Sequence, residues 1–405
     1  MRAADTQTIA GGVTAPAGFR ASGVACGIKA NGRPDLALLV SDAPASAAAV
    51  FTTNVAQAAP IVVSREHLRA ARGRALAVVA NSGCANACTG PDGLAHAREM
   101  AGRTAAALGC APEEVLVAST GVIGVKLPIP AVARGIELAA AALSAGGGPD
   151  AARAIMTTDP FPKEAAIEAA ARAGTFRVGG MAKGSGMIEP LMATMLGFVT
   201  TDAAVAPALL QRALKAVVDE TFNAITVDGE CSTNDCVIAL ANGASGVSLD
   251  EEDFPALVAA LRAVCDPLAI AIVRGGEGAT KLITVHVTGG LTDEDARSTA
   301  RAIANSPLVK TAVHGGDPNW GRLVAVAGRA TRTLVLDRAR VRIGGIELFA
   351  DGAPHDERAG AAAEYLRGSE IRIEVDLGTG GPGESTMWTC DLSAEYVRIN
   401  AEYRT

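Results

Sequence analysis

Lys183-Gly-Ser-Gly-Met-Ile-Glu-Pro-Leu-Met-Ala193-Thr194-Met-Leu-Gly-Phe-Val-Thr-Thr-Asp202 sets a threonine directly after a small residue, at the head of an apolar run. The run that Thr194 begins reads as a buried strand. On residues alone two readings stand: an ordinary strand threonine, or a nucleophile that becomes a new N-terminus. In the second, the Thr194 hydroxyl attacks the carbonyl carbon of Ala193, and an N-to-O acyl shift followed by ester hydrolysis divides the chain into 1–193 and 194–405. The freed threonine then carries a nucleophile and its own base, because an α-amine has an ordinary pKa of about 8 and is partly neutral near pH 7. A strand head holds such a group more rigidly than a loop tip would.

The composition surrounding this stretch bounds the class of protein. With 405 residues, 49% apolar and 20% charged, the chain can bury a sizeable core in two lobes or one large α/β unit. A net charge of −7 and no block of five like charges argue against a nucleic-acid surface or a polybasic membrane anchor, so small substrates are the expected partners. The N-terminal residues lack the apolar core of a signal peptide and no run of 18 apolar residues occurs, which predicts a cytoplasmic protein. The 8 cysteines include no Cys-x-x-Cys pair and the 5 histidines are scattered, so reduced thiols and no metal are expected. The fragment Thr226-Val-Asp-Gly-Glu-Cys-Ser-Thr-Asn-Asp235 resembles a calcium loop but lacks its ligand order; a turn is expected there.

Short apolar runs at 36–40, 47–51, 61–63 and 76–80 predict strands, and helical periodicity predicts helices at 93–108, 129–145, 205–219 and 254–264. Asp317-Pro318 predicts a helix start with Trp320 and Arg322 in its first turn, and Thr292 predicts the cap of a helix over 293–305. Strands return at 334–336, 341–343, 371–375 and 388–392, around a helix near 355–367. The glycine-rich Ser144-Ala-Gly-Gly-Gly-Pro149 marks a lobe boundary or a surface turn. Acyl transfer through a threonine ester also needs donors aimed at a developing oxyanion. Ser119-Thr120-Gly121 follows the apolar run 115–118 and is the candidate, the alternative being a polar turn after a strand.

Lys183-Gly-Ser-Gly-Met-Ile and Met192-Ala-Thr-Met-Leu-Gly-Phe resemble the self-cleavage region of the ornithine acetyltransferase family of arginine biosynthesis. Further blocks match in the family's order across nearly the whole chain: Gly11-Gly-Val-Thr-Ala-Pro, Phe51-Thr-Thr-Asn, Asn81-Ser-Gly-Cys-Ala-Asn, Ser119-Thr-Gly-Val-Ile-Gly124, Met156-Thr-Thr-Asp159, Glu277-Gly-Ala-Thr-Lys281, His314-Gly-Gly-Asp-Pro-Asn-Trp-Gly-Arg322 and Tyr396-Val-Arg-Ile-Asn400. The chain departs at Gly275, where the family commonly has Asp, and at Pro160, where it commonly has Thr.

The resemblance implies an α/β fold of the N-terminal-nucleophile kind, with two sheets packed between helices. It implies cleavage between Ala193 and Thr194 into an α and a β chain, assembled as α2β2. The implied reaction moves the acetyl group of N2-acetyl-L-ornithine to L-glutamate through an acetyl-Thr194 ester, without cofactor, and acetyl-CoA is a second candidate donor. Thr120 and Gly121 would form the oxyanion hole. Thr157, Lys183, Thr194, Glu277, Asn400 and Thr405 would contact substrate, with Glu277 facing the side-chain ammonium of ornithine. His314 is expected to be structural, since the Thr194 amine already serves as base. The competing enzyme reading is an aminopeptidase or amidohydrolase of related architecture, in which water resolves the acyl-enzyme; the non-enzyme reading is an uncut scaffold.

Overall fold

The computed structural model describes residues 6–189 and 195–402, and Ala193, Thr194 and Thr405 lie outside the described residues. The chain divides into two units. One contains residues up to Asn223 with Glu230–Ile272, and the other contains Ala224–Gly229 with the residues from Val273 onward.

The first unit's strands are β1 (Thr6–Thr8), β2 (Phe19–Val24), β3 (Leu36–Phe51), β4 (Arg74–Cys84), β5 (Val115–Val122), β6 (Lys163–Ala171), β7 (Gly174–Lys183), β8 (Leu196–Thr201), β9 (Ala204–Val205), β10 (Cys236–Ala241) and β11 (Ser248–Leu249). Among the described residues, nine of them form one sheet in the order β1-β6-β7-β8-β10-β3-β4-β5, with β2 also paired to β3, while β9 and β11 pair with each other. The unit's helices are α1 (Ala59–Ala70), α2 (Gly90–Leu108), α3 (Ile129–Ala141), α4 (Gly148–Ala154), α5 (Pro207–Glu220) and most of α6 (Phe254–Arg274).

The long strand β3 organises this sheet. Its register against β4 shifts between Val40 and Ala45, an irregularity that lets the strand bend. Its first half pairs with β2 and most of β4, and its second half pairs with β10, from Ser46↔Ala241 to Phe51↔Cys236. The two halves of the sheet fold face to face: Leu39, Val78 and Leu116 share one apolar cluster with Met181, Phe198 and Ile238. Residues of opposite parity, Leu38, Val79 and Val117, pack outward against Val63, Met100 and Ile136 of α1, α2 and α3. On the other half, Val264 and Leu268 of α6 come within 3.0 Å of the space a side chain at Gly180 of β7 would fill. The expected pair of sheets between helices is thus one sheet doubled over. α6 is apolar and long enough to cross a membrane by length and composition, yet Leu257, Leu261, Val264, Cys265, Leu268 and Ile272 are at most 1% exposed, which makes it a core helix.

The second unit holds β12 (Leu282–Gly290), β13 (Arg340–Ile343), β14 (Ile346–Ala350), β15 (Ala353–Pro354), β16 (Glu370–Asp376) and β17 (Gly383–Cys390), ordered β15-β14-β13-β16-β12-β17. Its helices are α7 (Asp293–Ala304), α8 (Pro307–Gly315), α9 (Trp320–Ala330), α10 (Ala359–Tyr365) and α11 (Ala394–Glu402). Ile283, Val285 and Val287 of β12 bury one sheet face against Ala296, Ala300 and Ile303 of α7 and Leu323 of α9.

Several local expectations need correction. The run 61–63 is the first turn of α1, begun by Pro60; a short β-branched run does not by itself distinguish a strand from a buried helical turn. The runs 36–40 and 47–51 are parts of the single strand β3. No strand forms at 334–336, where Val335 makes one backbone bond to Leu377 and Leu336 enters a 3-10 turn. The cap of α9 is Asn319 rather than Asp317: its side chain accepts the Arg322 amide, and Trp320 and Arg322 do occupy the first turn. Ser144-Ala-Gly-Gly-Gly-Pro149 is a turn within the first unit, tied to β2 through Ala21.

Candidate active site

Lys183 ends β7, where it pairs with Leu196 of β8; Leu196 pairs on its other side with Cys236 of β10. In the sheet order four strands separate β7 from β5, which would put about 24 Å between them in a flat sheet. The doubling at β3 removes that distance. Lys183, 3% exposed, donates from Nζ to the Thr120 hydroxyl oxygen at 3.2 Å. Because that oxygen accepts from Lys183, the Thr120 O–H is left to donate elsewhere.

Gly121 follows with φ of +128°, a backbone state that side chains rarely adopt, and a Cβ there would stand 2.4 Å from the Gly83 carbonyl carbon. Only glycine lets β5 approach β4 so closely at this point. A polar lattice secures the three strand ends around it. Ser119 Oγ donates to Asn81 Oδ1 at 2.6 Å, and Asn81 Nδ2 donates to the Cys84 carbonyl at 2.9 Å. Asn234 Nδ2 donates to the carbonyls of Ala85 at 2.6 Å and Ser119 at 2.9 Å. Thr52 Oγ1 donates to the Ser232 carbonyl at 2.8 Å, which joins the end of β3 to the same segment.

Asp159 anchors the other side. Its Oδ1 accepts Lys163 Nζ at 2.6 Å and the Gly184 amide at 2.7 Å, and its Oδ2 accepts the Thr157 amide at 3.0 Å. Burial alone would raise this carboxyl, but Lys183, Lys163 and the Thr157 amide outweigh it and hold it at about 2. Thr157 and Lys183 are thereby fixed through one carboxylate, which binds the residue backbone of the first and the amide next to the second. Lys29 braces the same loop, donating to the Met156 carbonyl at 2.7 Å; burial draws its ammonium down to about 8 against the opposing pull of Asp35.

In the second unit, Glu277 is 6% exposed and its Oε2 accepts Asn400 Nδ2 from α11 at 2.8 Å. Gly278, with φ of +68°, leaves no room for a side chain: a Cβ would lie 2.5 Å from the Tyr396 amide nitrogen. His314 Nδ1 lies 2.7 Å from Asp391, whose carboxylate also accepts the amides of Thr280 and Lys281 at 2.8 Å each. That arrangement ties α8 to the segment after Glu277, in keeping with a structural histidine.

A model of the ArgJ family matches residues 20–405. The arginine biosynthesis bifunctional protein ArgJ of a Synechococcus strain is 51% identical over the full length of both chains, and that of Symbiobacterium thermophilum is 52% identical over 98% of this chain and 99% of its own. This chain belongs to the ArgJ family. A solved chain of ornithine acetyltransferase from Mycobacterium tuberculosis, complexed with ornithine, is 44% identical over 47% of this chain and 99% of that one, with a TM-score of 0.43.

The motif blocks that mark this ArgJ-family chain acquire physical reasons in its fold. Asn81 and Ser119 belong to two of them and Asn234 to the segment before β10, and they bind one another's strands. Of the residues singled out from sequence, Thr120, Gly121, Lys183 and Thr157 are tied together in the first unit, and Glu277 and Asn400 are paired in the second. Asp159, Lys163 and Lys29 were missed. Asp159 carried a readable signal, a lone carboxylate in Met156-Thr-Thr-Asp159 with a lysine four residues on. The segment ending in Asn234-Asp235 is the expected turn, and it reaches the strand ends rather than serving only the sheet.

Proposed function

We propose that this chain cleaves itself between Ala193 and Thr194 and then moves the acetyl group of N2-acetyl-L-ornithine to L-glutamate, with Thr194 as the acyl carrier. The observation that carries the reading is the buried pairing of Lys183 with Thr120, beside the strand that follows Thr194. Membership of the ArgJ family, whose relatives are arginine biosynthesis bifunctional proteins, supports it.

The Thr194 amine takes the hydroxyl proton as oxygen attacks the acetyl carbonyl. The Thr120 O–H and the Gly121 N–H donate to the resulting oxyanion; such a donor is worth about 3–4 kcal/mol of barrier. Lys183 keeps the Thr120 oxygen engaged and adds positive potential. As the tetrahedral species collapses, the amine of ornithine leaves with the proton and the acetyl group stays as an ester. Glutamate then enters, its α-amine attacks the ester, and Thr194 regains its proton. The net exchange of one amide for another is near thermoneutral. Glu277, oriented by Asn400, selects the side-chain ammonium of ornithine, and Thr157 and Thr405 complete the substrate contacts.

Acetyl-CoA serves as a second donor in this reading. The α chain is 1–193 and the β chain 194–405, assembled as α2β2 in the cytoplasm. The experiment is intact mass under denaturing conditions, wild type beside Thr194→Ala, followed by assay of acetylornithine-to-glutamate transfer. Two fragments with the second beginning at Thr194, an uncut variant and acetyl transfer without hydrolysis are expected. One uncut chain in both proteins overturns the mechanism.

A further inference from the structure

The second half of β3 has an edge that no strand covers. β4 pairs with β3 only as far as Ser46↔Arg74, and the Ala47 amide makes the last contact, to the Gly73 carbonyl at 2.8 Å. Beyond it a side chain of α5 stands in for a strand: Gln211 Oε1 accepts the Ala49 amide and Gln211 Nε2 donates to the Ala49 carbonyl, both at 3.1 Å. A groove of about 460 Å³ runs along this edge between α1 and α5, with Gly73 and Phe51 among its walls. That volume suits a small-molecule site, for which about 300–1,000 Å³ is usual.

The charge in the groove is one-sided. Arg65, Arg69 and Arg72 line it and no carboxylate does, in a chain of net charge −7. Arg65 and Arg69 are both on α1, one turn and about 6 Å apart. Arg65 donates to Gln57 at 3.0 Å and lies 5.4 Å over the Phe51 ring. Arg69 and Arg72 are exposed, and their side chains have no ion pair or hydrogen bond among the described residues. Glu66, the acid beside Arg65 in sequence, is taken by Arg98 at 3.0 Å. Gathered cations without an acid repel one another, and an anion of several charges relieves that repulsion.

The groove also lies within reach of the candidate site. Phe51, Cys236, Leu196 and Lys183 are register partners on the neighbouring strands β3, β10, β8 and β7. Three strand spacings put Phe51 about 14 Å from Lys183. Ala49, Phe51 and Leu68 of the groove pack against the apolar cluster between the two halves of the sheet, so the groove borders the layer across which Lys183 meets Thr120.

We propose that this groove binds the phosphates of acetyl-CoA when that molecule is the acetyl donor, with Arg65 at the pyrophosphate and Arg69 and Arg72 at the 3′-phosphate. The inference rests on the second-donor part of the function proposed above. Pyrophosphate and 3′-phosphate together carry about four negative charges, and the arginine fork matches phosphate oxygens in pairs. About twelve bonds of pantetheine separate the pyrophosphate from the sulfur, as many as in four peptide residues, and they extend over about 13–14 Å. That length spans the row from Phe51 to Lys183. In the transfer the thioester C–S bond breaks, the acetyl group passes to the hydroxyl that also takes it from acetylornithine, and the CoA thiol leaves with that hydroxyl's proton.

The test is the full-length chain carrying Arg69→Ala with Arg72→Asn, assayed with glutamate and each donor in turn. Asparagine suits position 72 because the backbone there has φ of +54°. The KM for acetyl-CoA is expected to rise about tenfold or more with kcat held. Acetylornithine, which has no phosphate, is expected to keep both constants, and its turnover reports that the variant is folded. Wild type is expected to prefer acetyl-CoA to acetyl-3′-dephospho-CoA, and the variant to lose most of that preference. An unchanged KM for acetyl-CoA overturns the proposal, and so does a loss shared equally by both donors or a wild type indifferent to the 3′-phosphate. A wild type that transfers from acetylornithine but not from acetyl-CoA overturns the second-donor reading and this one with it. A wild type that uses acetyl-CoA beside an unaltered variant overturns this one alone.

Discussion

Asp159 has a fully buried side chain, as does its partner Lys163, so neither charge is left to solvent. Its carboxyl stands at about 2 in the folded chain, because Lys183, Lys163 and the Thr157 amide outweigh the effect of burial, against about 3.9 unfolded. The folded value is the lower one, so the stability it contributes is complete above about pH 4 and is lost as pH falls toward about 2. Melting followed from pH 6 to pH 2 is expected to show that loss in wild type and a smaller one in Asp159→Asn. At neutral pH the variant leaves Lys163 buried beside a neutral group and should be less stable by about 3–5 kcal/mol. Equal stability at pH 7 would show that water or another group compensates. Thr120 and Lys183 were each singled out from a motif. Their 3.2 Å contact was not, because 63 residues separate them and nothing local in either motif refers to the other.

Elements were legible where their signals are local. Thr292-Asp-Glu-Asp marks the start of α7, and the Thr292 side chain accepts the Asp295 amide. Thr292→Ala removes that cap and should cost about 1 kcal/mol in denaturant unfolding; no change would mean that the three acidic residues of the first turn suffice. The amphipathic stripes of α5 and α6 were equally plain, since Leu210, Leu214, Val217 and Val218, and Leu257 and Leu261, are all buried. Signals failed where packing decides between states. The β-branched run at the head of α1 could have paired as a strand, but Ile61 and Val63 are buried in a helical turn begun by Pro60. Strand β3 hid its continuity because exposed Asp42-Ala-Pro44 reads as a break, whereas in the fold it sits at the bend.

At the scale of the molecule, the proposed cut falls between β7 and β8. These strands pair from Val178↔Thr201 to Lys183↔Leu196, and their neighbours β6 and β10 bind them on the outer sides. Cleavage would therefore leave the sheet's ladder intact. The two fragments are expected to elute together in native size-exclusion chromatography and to separate only in denaturant. Separation under native conditions would show that the connection itself holds the sheet.

The sequence by itself determined the fold class, most helices and the list of chemically charged positions, because periodicity, caps and motif blocks are written within a few residues of one another. Tertiary structure alone decided which of those positions act together. The doubling of the sheet at β3 brings β5 to β7, and with it Thr120 to Lys183. The lysines packed around Asp159 then decided its state, holding it ionised against the effect of burial. Those outcomes depend on distances across strands and on the exclusion of water, and neither quantity exists until the chain has folded.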